Sequence, residues 1–225
     1  MTPTPPPTPD STNPAWTRLR EGNTRWSQGR STADGSRGAA RRAELTASQS
    51  PFALILGCSD SRVPAEILFD QGLGDLFVVR TAGHVLDTTV LGSVEYAIQI
   101  LHICLIVVLG HEDCGAITAA TRIIDHGQVP PGYIRDIAER ITPDVLRART
   151  AGAATIAQIA GLHTLYTIER IQQRSALIDH AIHTETVTAV PAQYCLNTGT
   201  VTIIQPPTNH TNPPHTYHTP ALQSA

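Results

Sequence analysis

Three soft ligands stand out by where they fall in the sequence. Cys58 directly follows Gly57 at the end of the apolar run 52–57, and His111 directly follows Gly110 at the end of the apolar run 104–110. Cys114 then completes a His-x-x-Cys spacing with His111. Together they make a Cys₂His set. Three protein ligands with a fourth position left open is the arrangement of a catalytic zinc, whereas structural zinc sites usually close with four Cys or His. A single His-x-x-Cys carries little weight, because Cys and His after a strand are commonly packing residues. Two strands that each deliver a ligand directly after a terminal Gly carry far more.

The segment Cys58-Ser-Asp-Ser-Arg62 places a carboxylate and a guanidinium beside the first ligand. Asp60 can ligate zinc itself or accept a hydrogen bond from zinc-bound water, and Arg62 can hold Asp60 through a bidentate pair. With the pair intact the fourth position is open to water; with it broken, Asp60 can close the site. The alternative is that the two form only a turn and an ion pair. Two thiolates neutralise the ion, so zinc here is a weaker Lewis acid than one held by three imidazoles, and bound water ionises less readily. Its pKa still falls far below the ~15.7 of bulk water, near ~7 to 9. Zinc-bound hydroxide of that kind attacks a small electrophilic carbon. The residues after Cys114 read as a helix start, whose free N–H groups favour developing anionic oxygen.

These groups need a frame. The runs 52–57 and 104–110 are continuously apolar, as strands buried on both faces of a parallel sheet are. A third run, 76–79, leads into Arg80-Thr-Ala-Gly83. Between it and the run at 104–110, Val90, Leu91, Val94, Ala97, Ile98 and Leu101 recur at helical spacing, which predicts a βαβ crossover. Ligands in such open sheets bind beyond the carboxyl ends of the strands, where both Gly-terminated runs point. Residues 125–150 read as a loop around Pro130-Pro131-Gly132 before a short helix, and 151–183 as one long helix covering the sheet. Thr186–Val190 and Thr200–Ile204 alternate with period two around Asn197-Thr-Gly199, which predicts a terminal antiparallel strand or hairpin. Cys104 falls inside an apolar run and reads as a core residue; Cys195 has no His or Cys nearby and is left out of the site. The fold class expected is α/β, a mainly parallel central sheet flanked by helices.

Composition narrows the function classes. Sixteen basic residues, all of them Arg, against nineteen acidic ones give a net charge of −3. That is no field for collecting nucleic acid or an acidic membrane, and the absence of Lys excludes Schiff-base chemistry. The longest apolar run is far short of the ~20 residues a spanning helix needs. No basic start and apolar core mark a secretory leader, so a cytoplasmic location is expected. Four Cys are too few for a disulfide scaffold at this length. Six of the 17 Pro fall at or before Pro14 and five from Pro206 onward, so residues 1–14 and 206–225 read as disordered tails around one zinc-binding catalytic domain, 15–205. The C-terminal tail's His210, His215 and His218 are assigned no function.

At this point the sequence resembles the β-class carbonic anhydrases. The resemblance spans about 16–205 and is carried by Gly57-Cys-Ser-Asp-Ser-Arg-Val63, Arg80-Thr-Ala-Gly83 and Gly110-His-Glu-Asp-Cys-Gly-Ala116, with Leu19–Trp26 similar to the family's N-terminal helix and Glu66–Asp75 to the stretch after its first motif. It implies reversible hydration of CO₂ to bicarbonate, one Zn²⁺ per chain, and a homodimer or homotetramer. Cys58, His111 and Cys114 match the zinc ligands, and Asp60 with Arg62 the catalytic dyad. Gln49 matches a substrate-site amide donor, Tyr96 a wall of the substrate pocket and Gly115 the backbone donor beside it. The plain alternatives for these three are a surface Gln, a packed helix-face Tyr and a helix-start Gly. In one subgroup a Trp three residues before the first Cys joins an Arg and a Tyr in an inhibitory bicarbonate pocket. Arg80 and Tyr194 match, but Ile55 stands in the Trp position, which implies an open, non-allosteric site with water as fourth ligand.

His84, His163 and the stretch Pro191–Leu196 depart from the family pattern without touching ligands or dyad. The runner-up activity is hydrolysis of carbonyl sulfide or carbon disulfide by the same nucleophile. The non-enzymatic alternative is a catalytically weakened zinc-binding regulatory homologue, against which the intact Asp60–Arg62 pair argues. A zinc deaminase fits less well, since it needs a Cys-x-x-Cys pair and only Cys114 follows His111 closely.

Overall fold

The computed structural model describes residues 13–207. Five strands form one sheet: β1 (Ala53–Cys58), β2 (Leu76–Thr81), β3 (Leu105–His111), β4 (Thr188–Tyr194) and β5 (Val201–Ile203), in the spatial order β2-β1-β3-β4-β5. The first four run parallel, and β5 closes the edge antiparallel to β4. β1 and β3 are buried along their whole length, as their unbroken apolar runs require.

Alternation along the two central strands sorts their side chains onto two faces. Ala53, Ile55, Leu105, Val107 and Leu109 face one layer, built from α1 (Pro14–Ser27), α5 (Gly115–His126), α6 (Ile134–Thr150) and part of α7 (Ile156–Arg174). Leu54, Leu56, Ile106 and Val108 face the other, built from α4 (Thr88–Gln99), α8 (Ala176–His183) and the remaining stripe of α7. Two shorter helices, α2 (Ala39–Glu44) and α3 (Ala65–Leu68), lie in the connections before β1 and β2. Helix starts carry the expected chemistry: Asn13 accepts from Trp16 N–H at 3.1 Å with Pro14 at the first position, and Thr155 with Gln158 forms a capping box on α7.

The structure corrects four readings of the sequence. Residues 134–150 are not a loop and a short helix but the 17-residue α6, which runs through Pro143 and buries Ala138, Ile141, Val145 and Ala148 on one stripe. The stretch 151–183 is two helices, because Ser175 leaves the helical conformation and its hydroxyl accepts from Ile178 N–H at 3.2 Å to start α8. Strand β4 does not stop at Val190 but continues through Pro191 to Tyr194; Pro191 has no N–H to give, but its carbonyl accepts from Ile204 N–H at 2.9 Å beside the Ala192–Ile203 end of the antiparallel pairing. Cys104 is not a core residue: it is exposed, one position before β3 begins. The tail histidines 210, 215 and 218 lie outside the described residues. No described helix is long and apolar enough to cross a membrane.

Candidate metal centre

Parallel pairing puts the carboxyl ends of β1 and β3 side by side, with Gly57 level with Leu109. Cys58 is the last residue of β1 and His111 the last of β3. The chain then turns through Asp113, which adopts a left-handed φ of 52°, a conformation Asp tolerates better than most residues. Cys114 is thereby returned to the site as the N-cap of α5.

The ligand atoms of Cys58, His111 and Cys114 all lie within 4.8 Å of one another, and all three residues are buried. The two Sγ atoms are 4.0 Å apart. That is far too long for a disulfide and close to the ~3.8 Å between two thiolates bound at ~2.3 Å to a tetrahedral ion. His111 Nδ1 donates to the Glu112 carbonyl at 2.7 Å, which fixes the tautomer and leaves Nε2 with its lone pair directed into the cluster. Nε2 is buried and has no hydrogen-bond partner among the described residues. An orphaned buried nitrogen beside two sulfurs fits a soft divalent cation and no packing role.

Electrostatics at the sulfurs agree. A hydrogen bond from Cys114 is the largest effect on Cys58; it outweighs burial and, with further donors, brings the thiol down to about 4. Cys114, donating that bond and buried, is pushed well above the ordinary thiol range, while the N–H groups of Ala116 and Ile117 at the start of α5 act in the opposite sense. Burial pushes His111 down, but the neighbouring Cys58 thiolate outweighs it and the net shift is upward. A bound cation replaces the proton shared by the pair.

Asp60 stands 3.9 Å from His111 Nε2. Arg62 grips it from three donors: its backbone N–H at 2.9 Å and Nε at 3.0 Å to Oδ1, and Nη2 at 2.8 Å to Oδ2. This fork holds the carboxyl well below the usual carboxylate range. The loop carrying Asp60 is pinned from behind by Arg80, whose Nε and Nη2 donate to the carbonyls of Cys58 and Asp60 at 2.8 and 2.6 Å. Gly83 N–H donates to Cys58 Sγ at 3.3 Å.

The sequence model of the carbonic anhydrase family matches residues 53–201. A carbonic anhydrase of Mycolicibacterium smegmatis is 49% identical over 187 residues, covering 83% of this chain and 90% of its own. The chain belongs to the β-class carbonic anhydrases. Carbonic anhydrase 2 of Mycobacterium tuberculosis is 48% identical over 191 residues, covering 84% of this chain and 92% of that one. The fold is shared with a tetrameric β-carbonic anhydrase of Sordaria macrospora at a TM-score of 0.66 and 22% identity, over 85% of this chain and 97% of the other.

Of the positions singled out in the sequence, the structure gathers Cys58, His111, Cys114, Asp60 and Arg62 at one place. Gly115, the first residue of α5, is exposed beside Cys114. Gln49 lies exposed in the segment between α2 and β1. Tyr96 is 45% exposed on α4, its ring stacked 6.2 Å from Phe77, which packs with the opposite face of the sheet. Arg80 and Tyr194 are both engaged: Arg80 on the two carbonyls, and Tyr194 accepting from Trp26 Nε1 at 3.1 Å. Ile55 is fully buried in the core. Sequence reasoning missed Gly83 and Arg80 as supports of the Cys58 loop. The signal was present in Arg80-Thr-Ala-Gly83, at the carboxyl end of a strand parallel and adjacent to β1.

Proposed function

We propose that this enzyme catalyses the reversible hydration of CO₂ to bicarbonate and a proton, with one Zn²⁺ per chain held by Cys58, His111 and Cys114. The observation that carries the reading is the buried sulfur–sulfur–nitrogen cluster with an ionised carboxylate clamped alongside it rather than inserted in it. When bound, zinc supplies the Lewis acidity that makes water a nucleophile near neutral pH. The protein's part is orientation. Asp60, kept ionised by the Arg62 fork, accepts a hydrogen bond from the attacking water and turns its lone pair toward the carbon. Arg62 holds Asp60 beside the cluster, where a zinc bound by Cys58, His111 and Cys114 would remain accessible to water. Gly115 N–H, beside Cys114 at the start of α5, donates to substrate oxygen. Water adds one oxygen to carbon, and the released proton passes to solvent.

The same reading makes the protein a cytoplasmic homodimer or homotetramer; the tetrameric assembly named for the Sordaria relative supports the second state. Stopped-flow assays of zinc-quantified protein on CO₂ and on carbonyl sulfide test the substrate. Fast CO₂ turnover with little carbonyl sulfide hydrolysis is expected; the reverse ranking, or zinc at one per chain with neither activity, contradicts the proposal.

A further inference from the structure

Behind the Cys58 loop lies a buried polar chain that the reaction does not use directly. His163 on α7 is 1% exposed and Asp144 on α6 is 3% exposed. His163 Nδ1 is 2.5 Å from Asp144 Oδ2, and its Nε2 is 3.0 Å from the Gly83 carbonyl. Both neighbours are acceptors, a carboxylate oxygen on one side and a carbonyl oxygen on the other, and Nε2–H donates to the Gly83 carbonyl. Arg170 Nη2 donates to the second oxygen of Asp144. His84 lies against the His163 ring, 4.4 Å between centroids. Replacing a buried charged pair with apolar side chains of similar volume is often neutral or stabilising, so stability alone is a weak reason for its presence here.

Its position supplies another reason. Gly83 adopts a left-handed φ of 63°, and a Cβ there would lie 2.8 Å from both Ala116 Cβ and Ile141 Cδ1. The residue is thus wedged between α5 and α6, free of a side chain, with its carbonyl held by His163 and its N–H directed at Cys58 Sγ. We propose that His163, anchored by Asp144, is a positioning residue for the metal centre: by fixing the Gly83 carbonyl it aims the Gly83 N–H at the Cys58 thiolate. The inference rests on the reading that Cys58 is a metal ligand. A hydrogen bond to a ligand sulfur draws electron density from it and fixes its direction, and outer partners of this kind typically change metal affinity or activity by ~10–100-fold when removed.

The test is cobalt(II) substitution of the full chain, comparing wild type with His163→Leu, His163→Gln and Asp144→Asn. The near-ultraviolet sulfur-to-cobalt charge-transfer band reads the electron density on the thiolates, and chelator competition reads zinc affinity. In His163→Leu with unchanged far-ultraviolet circular dichroism, the band moves to longer wavelength and zinc affinity falls ~10-fold or more. In His163→Gln, whose amide N–H can reach the Gly83 carbonyl, the band returns toward the wild-type position. Asp144→Asn shifts it in the same direction as Leu by less. A folded His163→Leu with wild-type band and affinity overturns the proposal, as does a His163→Gln shift equal to that of Leu. Should His163→Leu fail to fold, an unmoved band in Asp144→Asn overturns it. Neither readout uses turnover: band shifts in a protein that does not hydrate CO₂ would sink the proposed reaction and leave the positioning role standing, whereas wild type that takes up no cobalt would remove the metal centre on which it depends.

Discussion

The two faces of the central sheet are built from the same strands and do different work. On the face under α4 and α8 the buried cluster is entirely aliphatic, with Leu54, Leu56, Ile106 and Val108 set against Val90, Val94, Ile178 and Ile182. On the other face the cluster takes in Cys58 and Cys114, together with Trp16, Phe69, Tyr166 and Tyr194, and is crossed by the Asp144–His163 pair. The aliphatic face needs only volume and burial. The other must hold two sulfurs, an imidazole and a carboxylate in fixed directions, and does so with bonds to backbone: Arg80 on the carbonyls of Cys58 and Asp60, Gly83 on Cys58, His111 on Glu112. Packing on one side fixes the strands; polar contacts on the other fix the atoms at their ends.

This contrast predicts a ranking of effects. The largest belongs to the ligands. Cys58→Ser keeps the strand and removes a soft thiolate, so zinc content measured by atomic absorption should fall far below one per chain and CO₂ hydration to background; full zinc and activity would mean that the chemistry does not reside on this face. Next is the aliphatic face. Leu54→Ala empties a fully buried position and should cost ~2–5 kcal/mol in denaturant unfolding while turnover per bound zinc stays at the wild-type value. Turnover falling in step with stability would erase the division between the faces.

A smaller effect separates them by pH. Burial holds His84 well below the usual imidazole range, so it stays neutral in the folded chain, while the unfolded chain takes up a proton below ~6.5. The unfolded state then binds more protons, so His84's contribution to stability is complete above ~6.5 and declines as pH falls, by ~1.4 kcal/mol per pH unit. His84→Asn, which cannot ionise, should flatten the fall between pH 6.5 and 5.5 in urea unfolding; an equal slope in both proteins contradicts the assignment.

How much of this the sequence discloses depends on distance along the chain. Asp60, Arg62 and Cys58 fall within five consecutive positions, and His111 and Cys114 within four, so local spacing was enough to group them. The parallel strands were legible because burial on both faces leaves an unbroken apolar run. Helix α6 was hidden by Pro143 and by the Pro130-Pro131-Gly132 punctuation before it, although Ala138, Ile141, Val145 and Ala148 carry a helical stripe. The break at Ser175 was equally hidden, since apolar spacing continues across it. The links from Asp144 to His163 to Gly83 join positions 19 and 80 residues apart. No periodicity reports such contacts, because the meeting of α6, α7 and the turn after β2 is decided by the packing of whole helices on the sheet.

The most direct test of the proposed site is stopped-flow CO₂ hydration by wild type and Asp60→Asn at equal, measured zinc content, at about pH 7 and pH 8.5. Wild type should turn over fast, and faster as pH rises, and the variant should lose on the order of 100-fold. Asp60→Asn turning over as fast as wild type at the same zinc content would contradict the role proposed for Asp60, leaving the Asp60–Arg62 pair a structural turn beside a metal that works without it.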